Sequence, residues 1–188
     1  DAGKVHRINS DGSIPQDNPF LEQDNANASI YSYGHRNPQG MAKHPKTGDI
    51  WTHEHGPKGG DEINIIQKGA NYGWPVVSYG VNYSGTSFTD LTEKEGMQAP
   101  MWYWVPSIAP SGMTFVTSDI YPEWQGKLLV GSLKFGYVVA VTLDGNKALS
   151  QEVLFPGIGR VRDVEQGADG YIYVATDGSG IFKIIPTN

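Results

Sequence analysis

The sequence predicts an all-β fold, and within that class a partial β-propeller. Three observations carry this. Short runs rich in β-branched and aromatic residues recur along the chain, with no amphipathic helical pattern between them. Asp-Gly and Thr-Gly pairs, which favour tight turns, punctuate the runs. A unit of strand, turn, hydrophobic strand, polar loop and strand recurs three times.

Taken in order, the first strand is expected at residues 4–8, before the Asp11-Gly12 turn. The first repeat starts at Gly40-Met41-Ala42, turns at Thr47-Gly48, and continues through strands at 49–53 and 62–66. The second places strands at 112–116, 127–132 and 137–142, ending at Asp144-Gly145. The third places them at 161–165, 171–175 and 181–185, with turns at Asp169-Gly170 and Asp177-Gly178. That rhythm matches propeller blades. Three blades and one isolated strand cannot close a ring, because propellers typically need at least about four blades. Residues 1–188 are therefore expected to form roughly half of a larger propeller, as if cut from a longer chain; the alternative is a self-contained three-hairpin sandwich. Residues 67–100, rich in Gly, Tyr and Asn, are too long for a blade turn. They are expected to be an insertion between the first two repeats, over one mouth of the fold, where long loops often carry function.

Composition narrows the function classes. A chain of 188 residues is long enough for a sizeable core, and 18% charged with 11% aromatic residues is not a disordered composition. With 14 Lys and Arg against 20 Asp and Glu, no basic stripe for nucleic acid is present. The absence of cysteine excludes disulfides, thiolate metal sites and cysteine nucleophiles. No apolar run approaches membrane-spanning length, and no signal peptide is evident. No phosphate-binding loop, dinucleotide fingerprint or serine nucleophile elbow appears.

Against the acidic background, Lys134, Arg160 and Arg162 stand out as a cationic cluster. Arginines two apart on a strand share a face, which suits a multiply anionic ligand; pairing with Asp163 and Glu165 at the surface is the alternative. Arg36-Asn37 offers hydrogen-bond donors to a carbonyl oxygen or a developing oxyanion, or simply marks a turn before Pro38. The run Gly56-Pro57-Lys58-Gly59-Gly60-Asp61-Glu62 has an irregular backbone whose carbonyls, with carboxylates and the Tyr72 carbonyl, suit calcium; a solvated turn is the alternative. His53 and His55 share a strand face but lack a third ligand, so hydrogen-bonding or exposed roles are expected. His35, beside Arg36, is a general-base candidate that local sequence does not single out. The aromatic run 101–104 either packs in the core or lends one ring to a planar ligand or sugar.

Several of these segments, in order, resemble one family. Tyr33-Gly34-His35-Arg36-Asn37-Pro38-Gln39-Gly40, Glu54-His55-Gly56-Pro57-Lys58-Gly59-Gly60-Asp61-Glu62, Asn71-Tyr72-Gly73-Trp74-Pro75, Gly131-Ser132-Leu133-Lys134 and Arg160-Val161-Arg162-Asp163 are similar to the soluble PQQ-dependent aldose sugar dehydrogenases of the glucose/sorbosone dehydrogenase family. The resemblance covers essentially the whole chain. It implies a six-bladed propeller holding pyrroloquinoline quinone (PQQ) and calcium in its central mouth. Arg36 and Asn37 would contact the quinone oxygens, with Arg36 polarising the quinone. Ser132, Leu133, Lys134, Arg160, Val161 and Arg162 would form the cofactor-binding segments, the three cations gripping its carboxylates. Trp104 matches an aromatic at the cofactor mouth. The carbonyls of Gly56 and Pro57 would hold the cofactor calcium, and Glu62 with the Tyr72 carbonyl a further calcium. The family's general-base histidine matches none of His6, His35, His44, His53 or His55. The resemblance thus implies C1 oxidation of aldose sugars by a periplasmic or secreted parent. This chain alone is expected to be inactive and to pair with the missing N-terminal half or with itself. A calcium-stabilised propeller that binds a sugar or protein without catalysis is the alternative.

Overall fold

A computed structural model describes residues 2–186, so the two ends of the expected 1–188 unit lie outside the described residues. Thirteen strands and, among the described residues, no helix make up the fold. β1 (Lys4–His6) and β2 (Ile30–Tyr33) form a two-stranded sheet. β3 (Pro38–Lys43), β4 (Ile50–Glu54), β5 (Asp61–Ile65) and β6 (Trp102–Trp104) form the first four-stranded blade. β7 (Pro110–Phe115), β8 (Leu128–Ser132), β9 (Tyr137–Asp144) and β10 (Lys147–Leu154) form the second. β11 (Val161–Gln166), β12 (Ile172–Thr176) and β13 (Gly180–Ile184) form a three-stranded third. Every blade is an antiparallel meander, and the leading strands β3, β7 and β11 pack side by side in succession. This is a partial propeller.

Alternation along the central strands explains the packing. In β8 and β9, Leu128, Val130, Val139 and Val141 face the first blade, in a core with Trp51, Ile63, Trp104 and Phe115. Their neighbours Leu129, Val138 and Ala140 face the third blade, in a core with Val161, Val164, Ile172 and Val174. A sheet buried on both faces needs such continuous apolar strands. A smaller core of Val5, Ile66 and Tyr72 joins the first sheet to the first blade.

Two expectations change. The first strand is not isolated, since β2 pairs with it. Residues 66–101 enter within the first blade, between β5 and β6, because the short aromatic strand after them pairs with β5. The segment runs beside β2 at Asn71 and bridges Lys58 at Val81, both toward the end of the blade where Glu54 closes β4.

Candidate functional site

An open cleft of about 760 Å³ lies where loops from all three blades meet. The β4–β5 loop supplies His55, Gly56, Pro57, Lys58 and Gly59. The long segment adds Val81 and Tyr83, and the β6–β7 connection adds Val105, Pro106, Ser107 and Ala109. Leu133 and Lys134 follow β8, and Arg160 precedes β11. The walls are largely apolar, with one cation from each blade: Lys58, Lys134 and Arg160. Five of the residues singled out from sequence therefore meet here: Gly56, Pro57, Leu133, Lys134 and Arg160.

Arg160 and Arg162 do share a face, but their anion is neither Asp163 nor Glu165. Both Nε groups donate to Asp177, at 3.1 and 2.7 Å. Antiparallel pairing of β11 with β12 brings the residue after Thr176 back beside Arg160. Both arginines lower the Asp177 pKa, hydrogen bonding from Arg162 most, against an opposing rise from burial. All three side chains are exposed, so the pairs are weak and exchangeable.

A buried carboxyl fixes the cleft's loops. Asp61 accepts from the Gly56 amide at 2.9 Å, the Ser107 hydroxyl at 2.5 Å and the Ala109 amide at 2.8 Å. It thereby ties the first blade's loop to the connection leading into the second. Ala109 is held at φ 51°, a region alanine rarely adopts. Gly56 has no room for a side chain: a Cβ would sit 2.2 Å from the Gly59 carbonyl oxygen. His55 closes the same seam by donating from Nε2 to the Pro110 carbonyl at 2.7 Å.

A second, single-atom-sized cavity of about 10 Å³ adjoins the first across Gly56 and Pro57. Arg36, Glu54, Glu62, Tyr72 and Trp74 line it. The Arg36 guanidinium donates to the His55 carbonyl at 2.9 Å and lies over the Trp74 ring at 5.2 Å. Burial pushes the Glu62 carboxyl up to about 8; Glu54 and Asp61 add to the rise, and the Asn64 amide opposes it. Tyr72 stacks on His35 at 4.3 Å and donates its hydroxyl to the Ile65 carbonyl; burial raises its pKa to about 12. Among the described residues no three His, Asp or Glu side chains converge as a metal-ligand group. The carbonyls of Gly56, Pro57 and Tyr72 accept no hydrogen bond from described residues.

Four assignments are corrected. Trp104 does not reach the cleft: its ring is buried between blades, and Nε1 donates to Gln151 at 2.7 Å. Its neighbour Val105 and, from the long segment, Tyr83 line the cleft instead. Ser132 is fully buried, donating to the Ile108 carbonyl and accepting from the Phe135 amide. Val161 is a core residue whose carbonyl accepts from Ser111. Both support the cations beside them. Asn37 lines neither cavity; its amide donates to Glu54 at 3.2 Å. Sequence reading missed Tyr83, Asp177 and Glu54. The long insertion was a signal for the first and the Asp177-Gly178 turn for the second; nothing local pointed to the third.

The histidines are largely committed elsewhere. His35 Nδ1 lies 3.1 Å from Glu54 and Nε2 2.9 Å from the Ser32 hydroxyl. His53 is fully buried, and neither ring nitrogen has a partner of good geometry; desolvation lowers its pKa to about 3, the nearby Ser111 backbone offsetting only part.

Residues 1–183 match the glucose/sorbosone dehydrogenase family. The chain is 47% identical over 191 residues to the aldose sugar dehydrogenase YliI of Escherichia coli K12, covering 99% of this chain and 52% of that protein. A crystal structure of a glucose dehydrogenase superposes with a TM-score of 0.94 at 41% identity, covering 98% of this chain and 55% of the other. The PQQ-bound aldose sugar dehydrogenase of Streptomyces coelicolor superposes at 0.70 with 29% identity, covering 95% and 48%. The chain thus spans about half the length of these relatives. Matched along almost its full length, and sharing their blade architecture, it belongs to the glucose/sorbosone dehydrogenase family.

Proposed function

We infer that this chain is the cofactor-gripping half of a PQQ- and calcium-dependent enzyme that oxidises aldose sugars at C1. The observation that carries the reading is the cleft itself. Lys134 and Arg160 stand at one end, with Arg162 beside them, and the unengaged carbonyls of Gly56 and Pro57 form another wall. A ligand with three carboxylates suits those cations, since guanidinium forks bind carboxylate in two-point fashion. Calcium suits carbonyl oxygens supplemented by carboxylate. The small cavity fits a further ion, because a cation there would relieve the burial and like charge that Glu62 now bears, with the Tyr72 carbonyl as co-ligand. When bound, PQQ supplies the hydride acceptor and calcium the Lewis acid.

Arg36 would offer positive charge and its unused N–H donors to the cofactor's oxygens, since only NH1 is engaged. Asp177 would orient Arg160 and Arg162, its weak, exposed pairs with them giving way to cofactor carboxylates. The general base would come from outside this chain: His6, His35 and His44 make local hydrogen bonds, His53 is sealed in the core, and His55 donates to Pro110. The isolated chain would therefore be inactive and would pair with the remaining half of the propeller or with itself. Periplasmic or secreted location belongs to the same reading.

Titration with PQQ, in calcium or in chelator, tests it. The full-length protein should show saturable, calcium-dependent quenching of its fluorescence. Combining Arg160→Ala with Arg162→Ala should weaken binding about 10-fold or more per arginine, the value of a charge-assisted hydrogen bond. Calcium-independent binding, or binding indifferent to both substitutions, would overturn the assignment and favour a non-catalytic binding propeller.

A further inference from the structure

Glu54 closes β4 at 3% exposure, and the function proposed above gives it no task. Burying a carboxyl costs several kcal/mol unless its lone pairs are filled. Four N–H donors fill them here. Oε2 accepts from the backbone amides of Arg36 at 2.5 Å and Asn37 at 3.2 Å. Oε1 faces His35 Nδ1 at 3.1 Å and the Asn64 amide at 2.9 Å. With Nδ1–H donating, the Ser32 hydroxyl donates to His35 Nε2, so every polar atom of Glu54 and His35 is engaged, and of the network only Asn64 Oδ1 lacks a partner.

Two of the four donors are successive amides of the loop that carries Arg36. That loop lies outside regular strand pairing, since β2 ends at Tyr33 and β3 begins at Pro38. An ionised carboxyl offers two acceptor oxygens and no donor, whereas a glutamine of the same shape would aim an NH₂ at one donor pair. The choice of a buried acid at this point is therefore a choice of loop geometry.

We propose that Glu54 is a positioning residue, presetting the Arg36–Asn37 backbone so that the Arg36 side chain is aimed before the cofactor arrives. The inference rests on the function proposed above, in which Arg36 acts on the cofactor. Preorganised donors of this kind need rigid support behind them.

The test compares wild-type, Glu54→Gln and Ser32→Ala forms of the full-length protein. Ser32→Ala breaks the same buried network at its far end, beyond His35. Glu54→Gln should lower kcat about 100-fold, the scale of a 1 Å misplacement. Its PQQ dissociation constant should stay within about threefold of wild type, because the cations that grip the carboxylates are untouched. Ser32→Ala should lower the urea midpoint while keeping kcat within about threefold. Unchanged kcat in Glu54→Gln overturns the proposal, as does a loss of kcat that tracks stability in both variants. If Glu54→Gln does not fold, hydrogen exchange of the cofactor-free wild type decides. The Arg36 and Asn37 amides should exchange about 100-fold more slowly than open-loop amides, and rapid exchange overturns the proposal. A wild-type protein without PQQ-dependent turnover sinks the proposed function instead, and exchange at those two amides then still decides whether Glu54 holds the loop.

Discussion

Asp61→Ala tests how the cleft is held together. The carboxyl is fully buried and accepts from Gly56 N, Ser107 Oγ and Ala109 N. Removing it strands three donors. The Ser107 hydroxyl can rotate toward another acceptor, but the two amides are fixed by the backbone. A buried donor left unsatisfied costs about 1–3 kcal/mol, so the two amides together set a loss of about 4 kcal/mol. Ala109 adds to this: its φ of 51° is strained, and the lost acceptor is part of what holds it there. With an m-value of about 3 kcal/mol/M, the urea midpoint of the full-length protein should fall by roughly 1.3 M. Tryptophan fluorescence follows the transition. A shift below about 0.3 M, or about 1 kcal/mol, would refute the argument, because the amides would then have found partners without Asp61.

Two further outcomes follow from burial and close approach. His53 has its pKa lowered from 6.5 to about 3, so between those values the unfolded chain binds a proton that the folded state refuses. Stability contributed by this group is complete above pH 6.5 and is lost as pH falls toward 3. His53→Leu should flatten the stability–pH slope in that window by about 1.4 kcal/mol per unit, read from urea titrations across pH; an unchanged slope would contradict the assignment. In Gly112→Ala, the new Cβ would lie 1.8 Å from Asp163 Oδ1 and 2.6 Å from both Asp163 Cα and Val164 N. Backbone on the third blade must then move away from β7, at a cost of about 1–3 kcal/mol, and a wild-type melting temperature would argue against this blade contact.

The parts of the fold that were legible are those where local chemistry and burial agree. The glycines of the turn pairs Asp11-Gly12, Thr47-Gly48, Asp144-Gly145, Asp169-Gly170 and Asp177-Gly178 all adopt positive φ. The doubly buried strands β8 and β9 announced themselves as apolar runs. β10 did not: Lys147–Leu154 is an outer strand, exposed along most of its length, and backbone pairing with β9 makes it a strand. β6 is only three residues long and follows a long detour, so its aromatic run gave no register. At the site, the cations and the irregular Gly-Pro loop were readable as residue types. Asp177 and Glu54 were not, because their partners lie 15 and 18 residues away and meet them only through strand pairing and loop return. Trp104 shows the converse error: an aromatic near the right loop turned its ring to the core.

The order of the strands has a temporal consequence. Each blade is built from strands consecutive in the chain, and each larger core joins blades consecutive in the chain. Such local pairings close short loops and form quickly. A chain emerging from the ribosome thus finishes one blade before the next begins. The wall at Gly56 and Pro57 exists before Lys134 and Arg160 have been synthesised, so the cleft takes on these two cations only as its last wall docks.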